Sequence, residues 1–481
     1  MLTRLEVNGF KNLMDFSLDF GPYTCIAGPN GAGKSNIFDA IRFLSLLTDH
    51  TINEAALQIR NGGEEAGNIQ DLFFLGARER KSSIMRFAVE MIIDKKVRDD
   101  FGREAVASSS FLRYEIAFRY AEPSPKNGIL GGLLLEKEEL NHITKQKAIH
   151  HLKFPNRKNK FLNSVMYNNR RGAGFISTKP DPTTGQAAIS VHQDGGSRGR
   201  ERPSPATMAA KTIIGTENTS FTPTILAARN EMRSWRVLAF DPAAMRRPDH
   251  STQLPGIAAN GAHIPATLQY LAHAATQDDP DYDVYGQVSR RLSELVPVQS
   301  VSVDEDKQRQ RLALEVVERS GLKLQANSIS DGTLRFLALA TLCETVNESA
   351  VICMEEPENG IHPTRLSAMN QLLHDIAVDP EEAVALDNPL RQIIVATHSP
   401  YFVQLQDKND LVLAKNPAVR DYAGNVVLPL KCFPLLGSWR AQSVNDRERQ
   451  SPGVGVLDLQ AYMDSPEDVQ LRFPITFEDL K

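Results

Sequence analysis

Cysteine and tryptophan are scarce in this chain of 481 residues, with four copies of the first and two of the second. Cys25, Cys343, Cys353 and Cys432 sit singly in apolar stretches without Cys-x-x-Cys spacing, which speaks against a disulfide scaffold or a cysteine zinc site and marks them as core thiols. No apolar run reaches membrane-spanning length, and residues 1–7 alternate like a strand rather than a secretory leader. The expectation is a cytoplasmic protein with no membrane partner. Charge of one sign is not in excess either: the net charge is −5, with 23% charged and 41% hydrophobic residues, the composition of a globular protein and not of a globally basic one. The length exceeds one ordinary core and suggests two or three domains. No internal repeat and no long heptad array organises them.

What is present is a complete phosphate-binding loop, Gly28-Pro29-Asn30-Gly31-Ala32-Gly33-Lys34-Ser35, continued by Asn36. It follows an apolar strand, residues 23–27, and opens a helix on which Ile37, Ala40, Ile41 and Leu44 recur at helical spacing. The glycines let the chain fold so that successive amides point inward at phosphate oxygens. Lys34 is placed to reach the β and γ phosphates, and Ser35 to ligate magnesium. The positive end of the helix dipole adds to the same site. ATP and Mg2+ are therefore the expected cofactors.

Three later segments join this loop. Val351-Ile352-Cys353-Met354-Glu355-Glu356 is an apolar strand ending in two carboxylates, which point to opposite faces. Glu355 suits magnesium and Glu356 the polarisation of an attacking water, the division of labour that phosphoryl transfer needs. Ile393-Ile394-Val395-Ala396-Thr397-His398 delivers a histidine at the end of another strand, where it can contact the γ phosphate or position water. Ile329-Ser330-Asp331-Gly332-Thr333 is a short polar turn before an apolar helix expected over 336–345. Taken alone, Ser330 or Asp331 reads equally well as a helix cap or as part of an anion site with Gly332.

In this order the motifs resemble the ABC-type ATPases, specifically the RecF/SMC-like branch and its bacterial relatives of the overcoming-lysogenization-defect family. The likeness covers about residues 1–94 and 298–415. The opening Leu5-Glu6-Val7-Asn8-Gly9-Phe10-Lys11-Asn12 is similar to that branch's first hairpin, with Lys11 and Asn12 bordering the nucleotide. The resemblance implies an α/β fold, a P-loop NTPase of ABC/SMC head type whose mixed sheet is flanked by helices, with an antiparallel β subdomain and an inserted, largely helical domain. It also implies that Ser330 and Gly332 act across a dimer interface, in a homodimer or higher homo-oligomer of ATP-sandwiched heads, and that residues 359–363 follow as the D-loop. Glu355 departs from the aspartate of most relatives, and the signature lacks the Leu-Ser-Gly-Gly form. A magnesium-contacting glutamine is not evident, with Gln70 the nearest candidate.

The expected organisation is an N-terminal lobe, 1–94; an insert, 95–297; a C-terminal lobe, 298–415; and an irregular tail, 416–481, with no nuclease site of its own. Within the insert, 141–180 has no acidic residue before the end and mixes Lys145, Lys147, Lys153, Arg157, Lys158, Lys160, Arg170, Arg171 and Lys179 with Phe154, Phe161, Tyr167 and Phe175. That mixture suits a nucleic-acid backbone with stacked bases, an acidic protein partner, or a solvated face. Residues 193–206 read as a mobile loop. The function implied is an ATP-hydrolysing, dimerising head that regulates a protein effector or acts on nucleic acid, by analogy in bacterial defence or DNA maintenance. The alternatives are a nucleotide-gated scaffold with negligible hydrolysis, which Glu355 favours, and a transporter subunit, which the opening hairpin disfavours.

Overall fold

The computed structural model describes residues 1–59, 68–74, 84–122, 131–155, 159–168, 174–194, 203–278, 281–345, 350–421, 424–441, 454–455, 459–460 and 462–463. Its centre is a six-stranded sheet in the order Arg236–Leu238, Ala350–Glu355, Arg391–Thr397, Tyr23–Ala27, Leu411–Lys415 and Lys431–Pro434, of which the first five run parallel and the last antiparallel. Parallel strands need cover on both faces, so they read as nearly continuous apolar runs. Alternate residues feed two cores. Ile26, Cys353, Ile394, Ala396 and Val412 face one core, shared with the helix Ser35–Leu46. Cys25, Ile352, Val395 and Leu413 face the other, shared with the helices Ile264–Asp278, Val284–Ser293, Asp331–Cys343 and Leu366–Ile376.

An eight-stranded antiparallel sheet packs on the first core in the order Ser204–Pro205, Ala187–Val191, Ile176–Pro180, Gly132–His142, Phe111–Ala121, Ile84–Ile92, Leu2–Asn8 and Phe16–Asp19. It crosses residue 94 without a break, because Ile84–Ile92 pairs with Phe111–Ala121 through nine residues, from Ile84 opposite Arg119 to Ile92 opposite Phe111. The insert is therefore mixed rather than largely helical: its first half supplies strands to the antiparallel subdomain along with the short helices Lys145–His151 and Lys160–Val165, and its longer helices fall within about 213–293. Apolar residues alternate with polar or charged ones along Phe111–Ala121 and Gly132–His142, which puts Leu112, Tyr114, Ile116, Phe118, Leu133 and Leu135 in the first core. A third, four-stranded sheet contains Val298–Asp306 and Arg311–Glu318.

The tail differs from the irregular reading. Lys431–Pro434 extends the central sheet, with the proline at the end of an edge strand where no ladder donor is lost. Cys25, Cys353 and Cys432 are buried and unbridged, and Cys343 is half-buried and free. Of the expected loop 193–206, residues 195–202 lie outside the described ones, while Ser204–Pro205 pairs with Ala188 and Ile189. Among the described residues no helix is long and apolar enough to cross a membrane.

Candidate nucleotide site

Adjacent parallel strands deliver their following loops to one edge of a sheet. Here Tyr23–Ala27, Arg391–Thr397 and Ala350–Glu355 are neighbours, so the phosphate loop, His398 and Glu356 emerge side by side. His398 Nδ1 lies 2.7 Å from Glu356 Oε1, with both side chains part exposed. Glu356 adopts φ +49°, a left-handed backbone rare outside glycine, and its amide donates to the Ala396 carbonyl at 2.8 Å. Such conformations persist where surrounding contacts enforce them. Glu355 is the exposed last residue of its strand.

In the loop, Gly31 and Gly33 take φ +77° and +94°. A Cβ on Gly33 would stand 2.1 Å from Asn12 Nδ2, which leaves glycine the only tenable residue. Lys34 Nζ donates to the carbonyls of Gly28 at 2.6 Å and Pro29 at 3.0 Å. Burial lowers its pKa, opposed by the nearby carboxylates of Glu356, Glu355 and Glu358. Asn12 buttresses the loop: its Nδ2 donates to Ala32 O at 3.0 Å and its Oδ1 accepts from Asn36 Nδ2 at 2.7 Å. Asn416 Nδ2 reaches the same Ala32 carbonyl at 2.9 Å. Lys11, read as bordering the nucleotide, binds Asp39 Oδ2 at 2.7 Å, which anchors the opening hairpin to the helix after the loop.

Ser35 and Glu355 present a hydroxyl and a carboxylate, the hard oxygen donors that magnesium takes. Among the described residues no group of three or more His, Cys, Asp or Glu gathers as a metal cluster. Most of the ion's ligands would then be phosphate oxygens and water. Gln70 lies on the short turn Ile69–Leu72, beside the opening hairpin: the Leu72 carbonyl accepts from Lys11 N at 2.7 Å.

Ser330 and Gly332 form a separate cluster. Ser330 is exposed and caps the helix Asp331–Cys343, its Oγ accepting from Thr333 N at 3.3 Å and lying 2.7 Å from Thr333 Oγ1. Gly332 packs so tightly on the D-loop that an added Cβ would come within 2.3 Å of Gly360 O. Arg246, from the insert, donates to Ile329 O at 2.9 Å and to Asp331 Oδ1 at 2.5 Å.

Two residues of this region escaped sequence reading. Glu358 is 8% exposed, and burial pushes its carboxyl up. Thr397 Oγ1 donates to it and accepts from Ser399 N at 2.9 Å, which ties the residue just before 359–363 to the turn bearing His398. Its signal was present in Glu356-Pro357-Glu358, a second carboxylate two residues on. Tyr462 donates to the His398 carbonyl at 3.0 Å, and nothing near it in sequence points there.

The sequence profile described as AAA domain, putative AbiEii toxin, Type IV TA system matches residues 140–404, more than half of the chain. The chain belongs to that family. An AAA ATPase domain profile matches residues 1–178. DNA replication and repair protein RecF from Corynebacterium jeikeium is 26% identical over 144 residues, 28% of this chain and 33% of that protein. The OLD nuclease of Thermus scotoductus is 56% identical over 41 residues, 8% of each. The chain thus spans a third or less of the curated relatives it matches. A solved SMC head bound to the C-winged helix domain of ScpA aligns with 89% of this chain and 97% of that one, at 14% identity and a TM-score of 0.43. With its phosphate loop beside a carboxylate strand and a histidine strand, the AAA-family chain is a RecF/SMC-like ABC-type ATPase in fold.

Of the three readings open for the basic stretch 141–180, base stacking finds no surface on its phenylalanines. Phe154, Phe161 and Phe175 are 4%, 0% and 0% exposed and belong to hydrophobic cores, so their faces are unavailable to bases. Lys160 is paired with Glu382 at 2.7 Å, and Lys145 donates to Asn163. Arg157, Lys158, Arg170 and Arg171 lie outside the described residues.

Proposed function

We propose that this chain is an ATP-hydrolysing head that dimerises around ATP and thereby regulates a protein effector or acts on nucleic acid. The observation that carries the reading is the convergence of Lys34, Glu356 and His398 at the ends of three adjacent parallel strands. In this mechanism the loop amides and Lys34 would hold the β and γ phosphates, and Ser35 and Glu355 would hold a magnesium ion, which would supply charge neutralisation there. Glu356 draws a proton from the attacking water, with His398 orienting the carboxylate from 2.7 Å. Ser330 is exposed at the N-terminus of a 13-residue helix, where a second copy's γ phosphate would complete an anion site. The ScpA-bound SMC head and the DNA-repair protein RecF supply the analogy for a protein partner and for DNA. Any nucleic-acid contact through 141–180 would be made by lysines to phosphates, since the phenylalanines are buried. Defence, DNA maintenance and a cytoplasmic location are part of the same proposal.

A second reading, an ATP-gated scaffold with negligible turnover, is favoured by the longer Glu355 at the magnesium position. Phosphate release by the wild type and by Lys34→Ala, measured with mass by light scattering with and without ATP, decides between them. Turnover and ATP-dependent dimers, both lost in Lys34→Ala, are expected. ATP-dependent dimers without turnover would favour the scaffold, and absence of both would defeat the proposal.

A further inference from the structure

Beyond the last core strand the chain returns to the nucleotide site. Val454 bridges in parallel to Leu435, its amide donating to Pro434 O at 2.8 Å and its carbonyl accepting from Leu436 N at 3.0 Å. Leu459 and Met463 pack against the core that holds Cys25, Ala27 and Leu413, and Tyr462 belongs to that core at 2% exposure. Its hydroxyl donates to the His398 carbonyl at 3.0 Å and lies close to the Gly28 amide. The Gly28 amide donates to Thr397 O at 3.2 Å, so the Tyr462 hydroxyl, hydrogen-bonded to the next residue, sits at the junction between the histidine strand and the phosphate loop.

A phenylalanine would fill the same apolar space. What tyrosine adds is a hydroxyl, which in a dry environment requires a partner, and its partner is the main-chain carbonyl of His398, close to the Gly28 amide. The direction of the His398 side chain follows from its backbone, and the direction of the loop amides from that of Gly28. Displacement of about 1 Å in such a constellation can cost about 100-fold in rate.

We propose that Tyr462 is a positioning residue of the nucleotide site, its hydroxyl fixing the His398 turn against the first residue of the phosphate loop. The inference rests on the ATP-hydrolysing reading and deepens it. Tyr462→Phe in the full chain keeps the ring and removes the clamp. Hydrogen exchange in the nucleotide-free protein is expected to quicken in peptides covering 26–35 and 396–403. The rate constant for ATP hydrolysis should fall about tenfold, while ATP affinity stays within threefold and the melting temperature within a few degrees. Unchanged exchange, or faster exchange with unchanged turnover, overturns the proposal. Tyr462→Ala, which also opens a cavity, should lower the melting temperature as well; equal kinetic losses in Phe and Ala variants assign the effect to the hydroxyl, whereas loss in Ala alone assigns Tyr462 to packing and overturns it. ATP binding and turnover by the wild type in the same series separate the two failures. If the wild type does neither, the underlying reading falls; if it does both and Tyr462→Phe matches it throughout, only the role of Tyr462 falls.

Discussion

His398 Nδ1 stands 2.7 Å from Glu356 Oε1, so the histidine touches the carboxylate to which the proposed mechanism assigns the attacking water. The two act as a unit in the proposed mechanism. Glu356→Gln keeps the shape and removes the base, and is expected to lower phosphate release by about 100-fold or more while ATP binding persists. His398→Ala should lower it by a similar factor, and the double variant by little more than either alone. Multiplicative losses in single-turnover assays would show that the residues act independently.

Asn12 joins the opening hairpin to Ala32 and Asn36 of the phosphate loop. Asn12→Ala removes two hydrogen bonds near the nucleotide without touching Lys34. A net loss of about 1 kcal/mol predicts ATP binding weakened roughly fivefold, readable by fluorescent-nucleotide titration.

Arg246 connects the insert to the signature turn through Ile329 O and Asp331. Asp331 is largely exposed, so the carbonyl contact carries most of the effect. Arg246→Ala should leave ATP binding to one head intact and weaken ATP-dependent dimerisation, with a matching fall in turnover at low protein concentration. Equal dimer constants for wild type and variant by sedimentation would rule this link out.

Glu138 is fully buried, accepting from Ile213 N at 2.7 Å, Ile214 N at 3.0 Å and Tyr114 OH at 3.0 Å. Burial pushes its carboxyl from 4.5 up to about 7. The folded state therefore holds an extra proton between those values, and the stability contributed by this group is fullest below 4.5 and declines as pH rises toward 7. The slope is at most about 1.4 kcal/mol per pH unit. Glu138→Gln should remove this decline from a series of urea melts. It should also cost about 2 kcal/mol, because an amide group now faces a backbone donor.

The phosphate loop, Glu355, Glu356 and His398 were legible because each follows a continuous apolar run, and sequence order alone placed them together. The helix Asp331–Cys343 starts five residues before the expected 336, since Ser330 caps it and Asp331 occupies its first turn. The strand pairing of Ile84–Ile92 with Phe111–Ala121 was not legible, because alternation identifies strands but not neighbours. Phe154, Phe161 and Phe175 were not legible as core residues for a related reason: interleaved lysines left an exposed platform among the readings, while the chain turns the rings inward and leaves Lys145, Lys147 and Lys160 exposed. Glu358 and Tyr462 escaped because burial of a polar group depends on tertiary contacts, 39 residues away in sequence for Glu358 and 64 for Tyr462.

The strand Arg236–Leu238, though it comes from the middle of the chain, lies alongside Ile352, Cys353 and Met354 in the central sheet. Excising the insert by splicing residue 94 to residue 298 would strip that cover and leave the strand leading to Glu355 and Glu356 as a bare edge. Unpaired amides and carbonyls on an apolar strand recruit other strands. A shortened chain of this kind would form aggregates before any activity could be assayed, so dissection of the molecule must proceed by point substitution.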